Sequence, residues 1–161
     1  MTENKHVKIA FEMEQDEDGW PPATVETLWA IDLGNGQYKI KNIPFFAPLL
    51  SCDDIVSVER KYDDMLYFKE KIKNSNNSTI RIIFYDKESI NSVYQQLQKF
   101  GCSIEGGSDY KHLTAVDIPG NVKFKEVTNY LTKQEKKEIL AFEESCISAH
   151  HKNQNQGGHG L

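Results

Sequence analysis

Residues 25–42 carry two alternating runs joined by the dipeptide Asn35-Gly36. Asn and Gly most readily take the positive φ that a tight primed turn requires. The stretch therefore predicts a β-hairpin, with strands over 25–33 and 37–42. In the first strand Leu28, Ala30 and Asp32 alternate with Trp29, Ile31 and Leu33. The second set is the more apolar, so Trp29 is expected on the buried face, with Tyr38 and Ile40 returning beside it. Pro44 then ends the strand, because it has no N–H for the ladder.

The hairpin has β neighbours. Residues 6–13 alternate Val7, Ile9, Phe11 and Met13 against Lys8, Ala10 and Glu12, the pattern of a strand with one buried face. Residues 14–22 form a charged loop ending in Pro21-Pro22, which cannot join a central strand. Strands are expected over 54–60 and 65–73. The polar run 73–78 is the best domain boundary. Beyond it, 79–85 reads as a strand. Asp86 caps a helix to about Phe100, in which Ile90, Val93, Tyr94, Leu97 and Phe100 form an amphipathic stripe closed by Gly101. Short strands follow over 102–105 and 112–118. A helix is expected over 122–131 and continues over 132–148, where Thr132 and Glu135 have capping-box spacing. The expectation is an α+β chain. An antiparallel β-rich part (1–73) packs against a ferredoxin-like β-α-β-β-α part (79–148), and a mobile tail (149–161) follows.

Charge is distributed unevenly. Residues 1–64 hold 13 acidic and 6 basic side chains, a balance of −7, against −5 for the whole chain. Such a half repels nucleic acid and attracts cationic partners. Its acids concentrate at Glu12, Glu14, Asp16, Glu17 and Asp18, directly before Trp20. Large aromatics are common interface anchors. These six residues, with Glu26, are the candidate partner-binding set.

Catalytic constellations are missing from the sequence. There is no G-x-S-x-G, no glycine-rich loop opening a helix, and no Cys or His at zinc-ligand spacing outside the tail. Asp16-x-Asp18-Gly19 faintly echoes a calcium loop, but Trp20-Pro21-Pro22 cannot supply the remaining ligands. The tail histidines His150, His151 and His159 are read as non-specific, and no cofactor, metal or catalytic residue is assigned. Cys52, Cys102 and Cys146 are too far apart for a metal site and read as reduced thiols. No apolar run spans a bilayer and no signal-peptide core opens the chain, so the expected location is the cytoplasm, as a monomer.

The segment from Pro21 to Pro48 also resembles the bacterial domain-of-unknown-function family 4265. The matching residues are Pro21-Pro22, Glu26, Leu28-Trp29-Ala30, Gly36, Tyr38 and Asn42-Ile43-Pro44-Phe45-Phe46-Ala47. Asp53-Asp54-Ile55-Val56 is similar to that family's Gly-Asp-x-Val, with Asp53 where the family has glycine. The resemblance implies no activity. Small acidic chains of this kind also resemble immunity proteins of bacterial toxin systems, including contact-dependent growth inhibition.

The leading expectation is a non-catalytic immunity protein that covers the basic substrate surface of a cognate toxin, of the nuclease class. The alternative is an RNA-binding or regulatory module using the C-terminal sheet through Tyr85 and Arg81. A third reading, an enzyme with Glu26 or Asp54 as general base, names no substrate.

Overall fold

A computed structural model describes residues 5–61, 63–107 and 110–157. The chain divides into two compact units, Met1–Ser75 and Asn76–Leu161. Both are built mainly from antiparallel strands, the second with helices added.

The first unit is a closed five-stranded barrel: β1 (His6–Glu12), β2 (Val25–Gly34), β3 (Gln37–Ile40), β4 (Ile55–Arg60) and β5 (Leu66–Lys73). Consecutive strands pair antiparallel, and a short parallel pairing of β1 with β5 closes the ring at Ile9 and Leu66. Closure removes the unpaired edges that invite aggregation. The expected hairpin is β2–β3. Asn35 and Gly36 sit at φ 56 and 75, and the Asp32 carboxylate accepts the Gly34 N–H at 2.8 Å.

Ile9, Phe11, Leu28, Ala30, Ile40, Val56 and Leu66 fill the barrel. The side of β2 that faces inward corrects the expectation for Trp29. Leu28 and Ala30 are 3% and 0% exposed, whereas Trp29 is 45% exposed on the outer surface. A ring of five strands has little interior volume. Ala30 fits there beside Ile40 and an indole does not.

The second unit runs β6 (Ser78–Phe84), a 3-10 turn (Lys87–Ser89), α1 (Ile90–Phe100), β7 (Ser103–Gly106), β8 (Leu113–Ile118), α2 (Phe124–Lys136), β9 (Leu140–Cys146) and α3 (Ala149–Gly157). The sheet order is β7-β8-β6-β9, with every neighbouring pair antiparallel. Val93 and Leu97 of α1 and Phe124, Val127 and Leu131 of α2 cover Ile80, Ile82, Phe84, Val116, Ile118 and Leu140. Asp86 caps the 3-10 turn by accepting from the Glu88 N–H. Gly101 ends α1 at φ 106, where an added Cβ would stand 3.0 Å from the Val122 side chain.

Two expectations fail here. The helix expected over 132–148 ends at Lys136. Glu138 then turns the chain at φ 60, and β9 pairs with β6, setting Leu140 beside Phe84 and Phe142 beside Ile82. The edge of β6 offered hydrogen bonds and a buried face, and these outweigh the helix propensity of Glu, Lys and Ala.

The mobile tail expected over 149–161 is instead, over Ala149–Gly157, helix α3. Its anchor is His151, fully buried and stacked on Phe124 at 5.3 Å. Ser148 caps the helix by accepting from the His151 N–H at 3.1 Å. Ser78 Oγ accepts from the Ser148 N–H at 2.9 Å and faces His151 Nδ1 at 2.6 Å. His151 Nε2 lies 2.9 Å from the Pro119 carbonyl. A carbonyl only accepts, so Nε2 carries a proton; burial disfavours the charged ring, which leaves Nδ1 bare to receive the Ser78 hydroxyl. The imidazole is neutral in this arrangement.

Burial lowers the His151 pKa from its ordinary 6.5. The bond to Pro119 opposes that shift and neighbouring His150 reinforces it. The unfolded chain therefore binds this proton more readily. The stabilisation is complete above pH 6.5 and is lost as pH falls below 6.5 through the lowered folded value. Lowering the pH from about 7.5 to about 5 is expected to depress the Tm more in the native protein than in His151→Asn. Equal depression in thermal melts would refute the assignment.

Candidate partner-binding surface

The loop between β1 and β2 is closed by the Met13 N–H donating to the Thr24 carbonyl at 2.8 Å. Within it, Asp16 holds the turn. Its Oδ1 accepts from the backbone N–H groups of Asp18 and Trp20, both at 2.9 Å, and its own N–H donates to the Trp20 carbonyl at 2.7 Å. Gln15 Nε2 adds a bond to the Pro21 carbonyl at 3.1 Å. Gly19 takes φ 80, and the Trp20–Pro21 peptide is cis. The half-buried Trp20 ring meets Phe46 edge-on at 5.6 Å. Glu12, at the end of β1, pairs with Lys61. Among the described residues, the side chains of Glu14, Glu17 and Asp18 are exposed and make no hydrogen bond or ion pair.

Glu26 stands apart from this cluster. Its Oε2 accepts from the Phe45 N–H at 2.7 Å, and its Oε1 from the N–H groups of Phe46 and Ala47 at 3.0 and 2.8 Å. The long connection between β3 and β4 that these residues belong to is largely buried. Ile43, Phe46, Ala47 and Leu50 are at most 6% exposed. A buried loop must find partners for its backbone, and Glu26 supplies three acceptor bonds. Asp54, 1% exposed, does the same further on. It accepts from the N–H groups of Ser51 (2.9 Å) and Ser75 (2.7 Å) and from Lys71 Nζ at 3.0 Å. Asn42 Oδ1 accepts the Trp29 N–H at 2.6 Å.

The seven sequence candidates thus divide by role. Glu14, Glu17 and Asp18 project from a loop that Asp16 and Trp20 hold in shape. Glu12 is ion-paired, and Glu26 is a loop anchor rather than part of the same surface. Sequence reasoning missed Asp54 as a structural acceptor. The signal for it was a carboxylate between a buried loop and a strand start.

Other groups able to carry chemistry are accounted for. Arg81 is buried and its Nη2 lies 2.6 Å from Glu143 Oε1, while Tyr85 is exposed. The Cys102 thiol is pushed up to about 12, mainly by burial and further by the charge of Asp117, so it is a poor nucleophile. His159 lies outside the described residues. Among the described residues no three His, Cys, Asp or Glu side chains converge as a metal site, and no helix is long and apolar enough to cross a membrane.

The fold and these contacts define a class: a barrel whose β3–β4 connection is tied inward by carboxylates, followed by a helix-covered antiparallel sheet. The family model described as "Domain of unknown function (DUF4265)" matches residues 26–142, more than half of the chain, and the protein belongs to that family. The match begins at Glu26 and takes in the whole tied loop. Among solved structures, a hypothetical protein from Neisseria gonorrhoeae is similar, with a TM-score of 0.73 and 25% identity over 91% of this chain and 99% of that one. No curated protein matches.

Glu26→Ala leaves three N–H groups without their ionised acceptor and is expected to cost about 2–4 kcal/mol. Glu26→Gln keeps one acceptor oxygen and is expected to lose about half as much. Urea unfolding followed by tryptophan fluorescence measures both. An unchanged midpoint for Glu26→Ala would remove Glu26 from this role.

Proposed function

We propose that the protein is a non-catalytic binding protein that meets a cationic partner through Glu14, Glu17, Asp18 and Trp20. In its specific form it is a cytoplasmic immunity protein that covers the basic substrate surface of a cognate nuclease toxin. The observation that carries this reading is the shape of the loop. Asp16 is consumed internally to fix the turn, which leaves three carboxylates projecting beside an aromatic already packed on Phe46. A loop fixed before encounter loses little entropy on binding. Three exposed carboxylates that no neighbouring cation or N–H engages steer a basic surface toward it. Nucleases need such a surface to hold phosphates.

One further observation favours binding over catalysis. Glu26 and Asp54, the acids considered as general bases, are engaged by backbone N–H donors. The second unit is read as ferredoxin-like, supported by its β-α-β-β-α-β order and the strand order β7-β8-β6-β9. Use of that sheet to read RNA is the weaker alternative, because Arg81 is engaged with Glu143.

The test is to mix the protein with the toxin encoded beside its gene, measuring complex formation and survival of toxin-exposed cells. Changing Glu14, Glu17 and Asp18 together to Lys is expected to weaken binding on the order of a hundredfold, mostly through the association rate. Neither complex nor protection from the native protein would sink the proposal, as would full protection by the triple variant.

A further inference from the structure

Helix α3 is fastened by polar bonds rather than by a core. Among the described residues, none of the apolar side chains that fill the second unit comes from α3. His151 alone is driven fully inside, with its ring on Phe124, Nδ1 at Ser78 Oγ and Nε2 at the Pro119 carbonyl. One turn further along, Gln154 accepts from the Phe124 N–H at 3.1 Å and donates to the carbonyls of Gly120 and Val122, each at 3.2 Å. Lys123, at the N-cap of α2, supplies no side-chain cap, so Gln154 caps α2 from another element. His151 thus fastens α3, and α3 in turn holds the first turn of α2 and the connection that leads into it.

This fastening accepts one protonation state. A second proton, on Nδ1, would meet the Ser78 hydroxyl hydrogen across 2.6 Å. Ser78 Oγ already accepts the Ser148 N–H. If its hydrogen turns away, it finds Ser148 Oγ at 3.5 Å, whose own hydrogen goes to the Asn76 carbonyl. No carboxylate contacts the ring to balance a charge. β6 presents Ser78 to it, the connection after β8 presents the Pro119 and Val122 carbonyls, α2 presents Phe124, and α3 presents His150. Lys123, Lys125 and Glu126 line one surface hollow with His150 and Gln154, two ammonium groups against one carboxylate, and Lys152 follows His151 on α3. Burial is the largest effect against a charge on the ring, His150 adds to it, and the two carbonyls oppose it. A charged ring therefore gains by moving into water. Leaving disturbs few apolar contacts, which is the condition for an element to open on its own.

We propose that α3 is an acid-released strap: protonation of His151 frees the helix from β6 and from the start of α2, while the sheet, α1 and the core stay folded. Release uncovers Phe124, which is 4% exposed when the strap is closed, and removes the Gln154 cap from α2. The device is local to the second unit and does not depend on any partner of the acidic loop.

Amide hydrogen exchange of the full chain, followed by NMR at pH about 7.5 and about 5.5 and read as protection factors, tests it. One proton taken up per opening, by a released ring at its ordinary 6.5, raises the open fraction by up to about tenfold over that span. The amides of Lys152 and Gln154 on α3 and of Phe124 on α2 are expected to lose protection by that order, and those of Ile80, Ile82 and Val116 to keep theirs. His151→Asn is expected to abolish the pH dependence, and His150→Asn to retain it. In the native chain the imidazole nitrogen shifts are expected to show a neutral ring protonated at Nε2 at pH about 7.5, titrating below 6.5. Equal protection of α3 at the two pH values, an equal loss throughout β6 and β8, or the same pH dependence in His151→Asn would overturn the proposal. So would a native ring that titrates at or above 6.5, whatever the variants do.

Discussion

Three backbone N–H groups, those of Phe45, Phe46 and Ala47, meet the carboxylate of Glu26, and the barrel unit depends on that meeting. The connection from β3 to β4 carries Ala47 and Leu50 into the barrel core. Placing irregular backbone beside a core costs free energy for every polar group that finds no partner. A strand residue with a long acidic side chain removes that cost at three positions at once. Hydrogen bonds to an ionised group are worth about 1.5–3 kcal/mol each, against a total stability of about 5–15 kcal/mol for a typical domain. Asp54 repeats the device where the loop rejoins the sheet, with Lys71 balancing its buried charge. The segment that marks the family is therefore a packing solution. Glu26 and Asn42 tie the loop, and Ile43, Pro44, Phe46 and Ala47 are its buried face.

The second unit solves a related problem with neutral groups. Ser78, Ser148 and His151 are each 6% exposed or less and satisfy one another in a closed chain ending on the carbonyls of Asn76 and Pro119. Gln154 extends it, accepting from the Phe124 N–H and donating to the carbonyls of Gly120 and Val122. A helix with little apolar face of its own is held by these bonds and by one aromatic stack. That is why the tail looked unstructured in the sequence. Its order comes from polar side chains finding fixed partners, which no hydrophobic period announces.

The same physics separates what the sequence revealed from what it hid. The β2–β3 hairpin was legible because Asn35-Gly36 admits few alternatives to a primed turn. The stripe of α1 and its Gly101 cap were legible because 3.6-residue spacing is a local property. Strand β9 was not, since its pairing with β6 spans some sixty residues and its composition favours helix. Trp29 was misplaced because both sides of β2 carry apolar residues. Only the small interior of the closed barrel decides that Ala30 goes in and the indole out. For the candidate site, the clustering of acids before Trp20 was visible, but the division of labour among them was not. That division needs the hydrogen-bond partners of each oxygen.

Formal charge is consequently a poor guide to the field this unit presents. Of the acids behind the −7 balance, Glu12 and Asp53 face Lys61 and Lys41. Asp16 and Asp32 are tied into turns, and Glu26 and Asp54 into the buried loop. Asp63 accepts from the Tyr67 hydroxyl at 2.7 Å. A carboxylate engaged by N–H dipoles or an ammonium projects little field into solvent. A partner approaching from several ångströms away feels mainly the acids that fold formation left unengaged. In the β1–β2 loop those are Glu14, Glu17 and Asp18, within five residues of one another and on backbone that Asp16 has fixed. A surface of that kind arises because the neighbouring acids have structural work elsewhere. The charge left facing solvent is small in number and carried on fixed backbone, which is the condition under which screened electrostatics can discriminate between partners.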